Sequence, residues 1–258
     1  MTPDATSEGA PSLHIDGLRA TITLQRPSVA NRLSLADLDV LLAHMATVDA
    51  EAQVRVLCLR SRGRHFCAGF HIGEVGSASG DGGDSFQRLA DALERARPVT
   101  VAAVQGGTYG GAVDLALACD FRIGTPVVEA QVPAARLGIH YYRSGLERMV
   151  TRLGLGAAKR LMLGVEKFDA QGLLAIGWLD RIVPAEALAA EVEAFCAHLA
   201  SLAPLSLLPM KRHLGDIARG RLDTDAIDAD IARALASEDL REGGRAWAEK
   251  RAPKFRGV

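Results

Sequence analysis

Hydrophobic positions recur every second residue in some stretches of the chain and every third to fourth in others. "LRATITL" (18–24) alternates apolar with polar or small residues and predicts a half-buried strand. "SLADLDVLLAHMATV" (34–48) carries leucines at helical spacing and opens with Ser34 and Asp37 at capping-box spacing, which predicts a helix. "VRVLCLR" (54–60) predicts a second strand. "GSASGDGGD" (76–84) reads as a mobile loop, and "DSFQRLADALERAR" (84–97) as a helix stopped by Pro98. "PVTVAAVQG" (98–106) is continuously apolar, as a strand buried on both faces is. "GGAVDLALACD" (110–120) predicts a glycine-opened helix, and "FRIGT" and "VVEAQV" two short strands. From about residue 144 helical patterns dominate, through "SGLERMVTRLG", "GAAKRLMLG", "DAQGLLAIG", "EALAAEVEAFCAHLASLA" and a charged stretch at 224–251. The pattern predicts an α/β half built from repeated ββα units, followed by a helical half.

Composition narrows the classes. The chain has 258 residues, 48% hydrophobic and 24% charged, with a formal net charge of −1. That is an ordinary globular composition with no basic excess for nucleic acid and no polybasic block for a membrane surface. No apolar run approaches the length of a membrane span. The polar start, residues 1–12, lacks the pattern of a signal peptide and reads as a flexible tail. Cys58, Cys67, Cys119 and Cys196 are scattered and form no CxxC, so free, mostly buried thiols in a reducing cytoplasm are expected.

The stretch "HFCAGFHIGE" (65–74) holds two histidines, a small-residue turn and a glutamate. His65 and His71 are six apart, and no HExxH or Cys/His cluster accompanies them, so no metal is expected. There is no GxSxG elbow, and "GGTYGG" (106–111) is neither a dinucleotide fingerprint nor a P-loop. Two glycine turns remain, "CAGF" (67–70) and "YGGAVD" (109–114), each after a strand and the second opening a helix. Glycine permits close backbone approach, and a helix N-terminus presents unpaired N–H groups. Two N–H groups converging on one point make an oxyanion hole, with Asp114 one helical turn away. The spacing fits packing glycines at βα junctions equally well.

"RHFCAGFHIGE" together with "PVTVAAVQGGTYGGAVDLALACDFRIGT" resembles the enoyl-CoA hydratase/isomerase, or crotonase, family. The likeness continues through "LGAAKRLMLGVEKFDAQGLLAIGWLDRIVPAEAL" to "AWAEKRAPKF" and covers essentially the whole chain. It implies a spiral of ββα units (13–194) with a helical trimerisation region (195–258). It implies an acyl-CoA substrate, no cofactor beyond the CoA of that substrate, and a homotrimer or hexamer without nucleic acid or membrane partners. Carried over by residue, the oxyanion donors are the N–H groups of Ala68 and Gly111, and Asp114 stands where hydratases carry their first glutamate. Ala30, Arg32, Ala68, Lys250 and Arg251 become CoA contacts. Phe70, His71, Ala134, Tyr141, Tyr142 and Arg143 become acyl-side contacts, with His140 a candidate acid/base.

The departures from the family pattern bear on the reaction. Ala134 occupies the place of the second hydratase glutamate, "HYYRSG" (140–145) replaces a small glycine-rich segment, and His71 replaces an acidic residue. Hydration needs two groups to hold water and deliver the α-proton, so one carboxylate points toward isomerase, decarboxylase or C–C lyase chemistry. Several residues carry a plainer reading beside the functional one. Asp114 would be stabilised in a first helical turn regardless; Arg143 suits a surface ion pair, and Lys250 and Arg251 a solvated helix face. His71 and Glu74 suit loop hydrogen bonding, and His65, just before the first glycine turn, reads as structural. A thioester-binding scaffold without turnover is the alternative in another class.

Overall fold

A computed structural model describes residues 8–74 and 81–258, beginning with a hairpin of β1 (Ser12–Asp16) and β2 (Arg19–Leu24). Gly17, at φ 56°, makes the turn between them. Of the expected tail, residues 1–7 lie outside the described residues, Gly9 N–H donates to Gln25 O at 3.3 Å, and β1, whose "SLHID" alternates polar and apolar residues, begins at Ser12. Next come α1 (Leu35–Ala50), β3 (Val56–Ser61), α2 (Asp81–Arg95), β4 (Val99–Val104), β5 (Thr108–Tyr109) and α3 (Gly111–Ala118). The capping box at α1 forms: Asp37 N–H donates to the Ser34 hydroxyl at 3.3 Å, and Ser34 N–H to the Asp37 carboxylate at 3.0 Å. Of the expected loop 76–84, residues 76–80 lie outside the described residues, and 81–84 are helix instead.

The chain continues through β6 (Phe121–Gly124), β7 (Glu129–Gln131), α4 (Arg143–Met162), β8 (Phe168–Asp169), α5 (Ala170–Ala175) and β9 (Arg181–Ile182). It ends in α6 (Leu188–Ala200), α7 (Pro204–Ala218), α8 (Thr224–Ala236) and α9 (Glu238–Ala248). α4 breaks at Gly154, whose φ of 77° is left-handed.

The main sheet runs β1-β2-β3-β4-β6-β9, antiparallel only at β1–β2, and a small sheet runs β5-β7-β8. Isolated bridges Leu33↔Phe70 and Cys67↔Thr108 extend the second layer. Each repeat thus places one strand in the main sheet, a short extended segment in the second layer, then a helix. This is the expected ββα build, with its second strands reduced to one to three paired residues.

The buried main-sheet strands face two cores. In β4, Ala102 and Val104 join the larger core with α1, α2 and α3, while Val99, Val101 and Ala103 join a smaller one with Leu188, Val192 and Cys196 of α6. The expected boundary at residue 195 therefore falls inside α6, which covers the back of the sheet. All four cysteines are free and buried. Among the described residues no single helix is long and apolar enough to cross a membrane.

The C-terminal segment is tied to α9 through acidic side chains. Asp239 accepts from the N–H groups of Arg256 (2.7 Å) and Gly257 (2.9 Å), and Glu242 accepts from Arg251 (2.6 Å) and from Lys254 N–H (2.9 Å). The Arg251 hydrogen bond, then the Lys254 N–H, holds the Glu242 carboxyl down at about 2. An unfolded-chain glutamate titrates near about 4.3, so this tie contributes above that pH and is lost as pH falls toward 2. Hydrogen exchange of residues 251–257 is expected to accelerate between about pH 4.3 and 2, and Glu242→Gln to remove that step. Exchange with the same pH response in both proteins would count against the tie.

Candidate active site

The two glycine turns meet. Gly69 has φ 84°, and a Cβ there would lie 2.6 Å from the Tyr109 carbonyl oxygen and 3.2 Å from Gly111 N. Only glycine permits that approach. Neighbouring contacts pin the first turn. Asn31, left-handed and buried, donates to the carbonyls of Arg62 (2.8 Å) and His65 (3.0 Å), and Gln105 donates to His65 O at 3.0 Å. Phe66 N–H donates to Gly107 O (3.0 Å), and Tyr109 N–H to Cys67 O (3.0 Å).

Within the turn the N–H groups differ. Ala68 N–H donates to Ala30 O at 2.8 Å, so it is engaged. Leu33 N–H donates to Gly69 O and His71 N–H to Leu33 O, both at 2.9 Å, which turns the N–H of Phe70 to the opposite side. Neither Phe70 N–H nor Gly111 N–H has a hydrogen-bond partner among the described residues. Gly111 opens α3, behind Gly110 at φ 57°. A Cβ at Gly111 would sit 2.6 Å from the Phe86 ring, so α2 closes one wall with an aromatic. Phe70, Phe86 and Tyr142 follow at ring spacings of 6.2 Å, and Tyr141 stacks on Tyr142 at 4.7 Å.

Asp114 lies in the first turn of α3 and is completely buried. Its Oδ2 accepts from the Tyr142 hydroxyl (2.5 Å) and from Arg148 Nη1, while its Oδ1 has no hydrogen-bond partner among the described residues. Arg148, equally buried, also reaches Asp91 (2.8 Å) and Glu94 (3.2 Å) of α2. Burial lowers the guanidinium's proton affinity, but Asp114 and its neighbours outweigh that and hold it above the ordinary arginine value. Burial, then the Asp114 charge, pushes the Tyr141 phenol well up, and burial, then Tyr141 and Asp114, does the same to Tyr142.

The enoyl-CoA hydratase/isomerase family model matches residues 17–258. The chain belongs to that family. It is 30% identical to the "Probable enoyl-CoA hydratase echA6" of Mycobacterium bovis over 238 residues, covering 92% of this chain and 96% of that protein. It is 33% identical to the "Probable enoyl-CoA hydratase" of Bacillus subtilis over 261 residues, covering 95% and 98%. The crystal structure of enoyl-CoA hydratase from Bacillus anthracis superposes with a TM-score of 0.89 at 25% identity, covering 97% of this chain and all of that one.

For an enoyl-CoA hydratase/isomerase family member, the placement of the expected residues is uneven. Phe70, Ala134, Tyr141 and Tyr142 all pack against the larger core. His71 is part-buried beside that turn. His140 is exposed, its Nδ1 2.8 Å from Tyr141 O, and Arg143 is 88% exposed on Glu147. Neither enters the buried group around Asp114. Ala30 and Ala68 are brought together, with Arg32 exposed beside them. Lys250 and Arg251 lie beyond α9, and Arg251 is paired with Glu242 and Glu249. The reading by residue type misses two features: the engagement of Ala68 N–H, invisible until Ala30 is seen opposite it, and Arg148, which "SGLERMVTRLG" presents as one basic residue in an amphipathic helix.

Removing Arg148 leaves three acidic side chains without their shared cation. Arg148→Met is expected to destabilise the protein by about 3–5 kcal/mol, the cost of breaking a buried pair from one side. Urea unfolding at pH 7 measures it, and an unchanged midpoint would show the cluster to be solvated in solution.

Proposed function

We propose that this family member is an acyl-CoA enzyme that shuttles protons through an enolate, with double-bond isomerisation rather than hydration as its reaction. The observation that supports it best is the meeting of the two glycine turns beside one carboxylate, with a methyl group at Ala134. In this reading the thioester oxygen sits between the N–H groups of Phe70 and Gly111, the latter as expected and the former in place of Ala68. Those dipoles favour charge that develops on oxygen as the α-proton leaves. Asp114 takes that proton through Oδ1, because Oδ2 is held by Arg148 and Tyr142. The segment bearing Ala30, Arg32 and Ala68 takes the CoA, and with Arg251 committed to acidic neighbours the phosphate contact falls to Lys250. The related proteins named as hydratases support the substrate class.

A second reading, thioester binding without turnover, is favoured by the same engagement of Asp114 with Arg148 and Tyr142. Kinetics separate the two. Asp114→Asn keeps the shape and removes the base, and is expected to lower kcat for α-proton exchange or isomerisation by about 10²–10⁴. A fall below about fivefold would make Asp114 structural, well short of what general-base catalysis contributes. Loss of enoyl absorbance from crotonyl-CoA is expected to be weak with the natural protein. Hydration at kcat/KM near about 10⁶ M⁻¹s⁻¹, within the ordinary enzyme range, would overturn the proposal that Ala134 diverts the chemistry.

The proposed assembly is a trimer, or a hexamer of two trimers, formed through the helical end. Leu214 and Leu235 are 68% and 65% exposed, and they line an apolar groove of about 700 Å³ among α7, α8 and α9. Apolar patches of this kind on a helical surface are covered in closed symmetric oligomers. Sedimentation equilibrium at micromolar concentration is expected to give a trimeric or hexameric mass; a monomer would refute it.

A further inference from the structure

On α3 and around the N-terminal end of α4, three buried side-chain oxygens have no hydrogen-bond partner among the described residues: Asp114 Oδ1, the Tyr141 hydroxyl and Ser144 Oγ. Buried polar atoms are nearly always paired, and unpaired ones in a native protein call for an explanation. Here they comprise one acceptor and two hydroxyl donors. Tyr141 and Tyr142 stack with their planes 18° apart, and Tyr142 gives its proton to Asp114 Oδ2. That leaves Tyr141 as the phenol with an uncommitted proton; burial, then the Asp114 charge, opposes its ionisation, partly offset by its contact with the Tyr142 hydroxyl. Gly145 makes the stack possible, since a Cβ there would fall 2.6 Å from the Tyr141 ring and 2.7 Å from the Tyr142 ring. His140, the other residue able to replace a missing carboxylate, faces solvent with its ring against the Tyr141 carbonyl.

We propose that Tyr141 is the proton donor of this enzyme, in the role that Ala134 cannot fill. The assignment rests on the enolate reading above and gives it a defined reaction, conversion of a 3-enoyl thioester to its conjugated 2-enoyl isomer. Asp114 Oδ1 removes the α-proton, and the C–H electron pair spreads over the dienolate, with charge on the thioester oxygen. The γ-carbon then takes the Tyr141 proton as the O–H bond breaks and a C–H bond forms. The double bond settles between the α- and β-carbons. The Asp114 carboxylic acid returns its proton to the Tyr141 phenolate, and both groups are as they began. A dienolate carbon is far more basic than a phenolate, so a phenol whose ionisation is opposed by burial still protonates it. Ser144 presents an aliphatic hydroxyl, a much weaker acid, and serves as the comparison.

The full-length protein is assayed with two probes. One is 3-hexenoyl-CoA, followed by the absorbance of its conjugated product; the other is butyryl-CoA in heavy water, followed by loss of its α-proton NMR signal. Tyr141→Phe is expected to slow isomerisation by about 10²–10⁴ while keeping α-proton exchange within about threefold. Its thermal midpoint is expected to be unchanged or higher, because an unsatisfied buried hydroxyl has been removed. Ser144→Ala is expected to keep both activities.

Isomerisation by Tyr141→Phe at the natural rate, loss of isomerisation in Ser144→Ala instead, loss of both activities in folded Tyr141→Phe, or exchange without isomerisation in the natural protein would each overturn the assignment. A natural protein that performs neither reaction overturns the enolate reading and this assignment with it. Should Tyr141→Phe fail to fold, 3-fluorotyrosine at position 141 keeps the ring and makes the phenol more acidic. The alkaline limb of the isomerisation profile is then expected to move to lower pH, and an unmoved limb overturns the assignment.

Discussion

A single buried guanidinium holds the site's three helices in relation to one another. Arg148 enters from α4, meets Asp114 on α3, and meets Asp91 and Glu94 on α2, with no exposure to water. Glu94 is shared outward with Arg152 and Arg219, so the cluster also reaches α7. A buried ion of this kind is an indifferent source of net stability, because desolvation offsets much of the attraction. Its value is geometric. The planar fork accepts carboxylates only from fixed directions, so it sets where the first turn of α3 lies relative to α2, whose Phe86 covers Gly111.

That constraint explains the division of labour within Asp114. One carboxylate oxygen is fixed by a cation and a phenol, which orients the group, while the other oxygen has no partner. A carboxylate held this way keeps one reactive lone pair at one position, as efficient proton transfer requires. The backbone side of the site follows the same logic. Ala68 N–H locks the turn onto Ala30, and the bridge of Leu33 to Gly69 and His71 leaves Phe70 N–H pointing away from Leu33.

How much of this was legible beforehand depended on how local the signal was. Ser34 and Asp37 announce the start of α1 because a capping box is written within four residues. β4 is equally plain, since both its faces are buried and every residue but Thr100 is apolar. β8 and β9 are two residues each and leave no period to detect, and Pro209 within α7 argues against a helix that the surrounding packing nonetheless forms. At the site, the two glycine turns and Asp114 were readable from spacing and resemblance. His140 and Arg143 were plausible by residue type but face water, because α4 begins at residue 143 and turns the preceding tyrosines inward instead. Arg148 is a long-range choice, made by three carboxylates that are distant in sequence.

Cys67 sits in the first glycine turn, one residue before Ala68. Its sulfur accepts from Gly69 N–H at 3.3 Å and lies 3.1 Å from Asn31 O. Burial pushes the thiol up to about 12, despite the Gly69 hydrogen bond. At neutral pH almost none of it is thiolate, the form that attacks electrophiles. A conjugated thioester is itself such an electrophile, prone to capture by sulfur at its β-carbon. The closed turn that brings Gly69 against Gly111 therefore also gives chemical tolerance, keeping a buried sulfur protonated and slow to react with electrophiles.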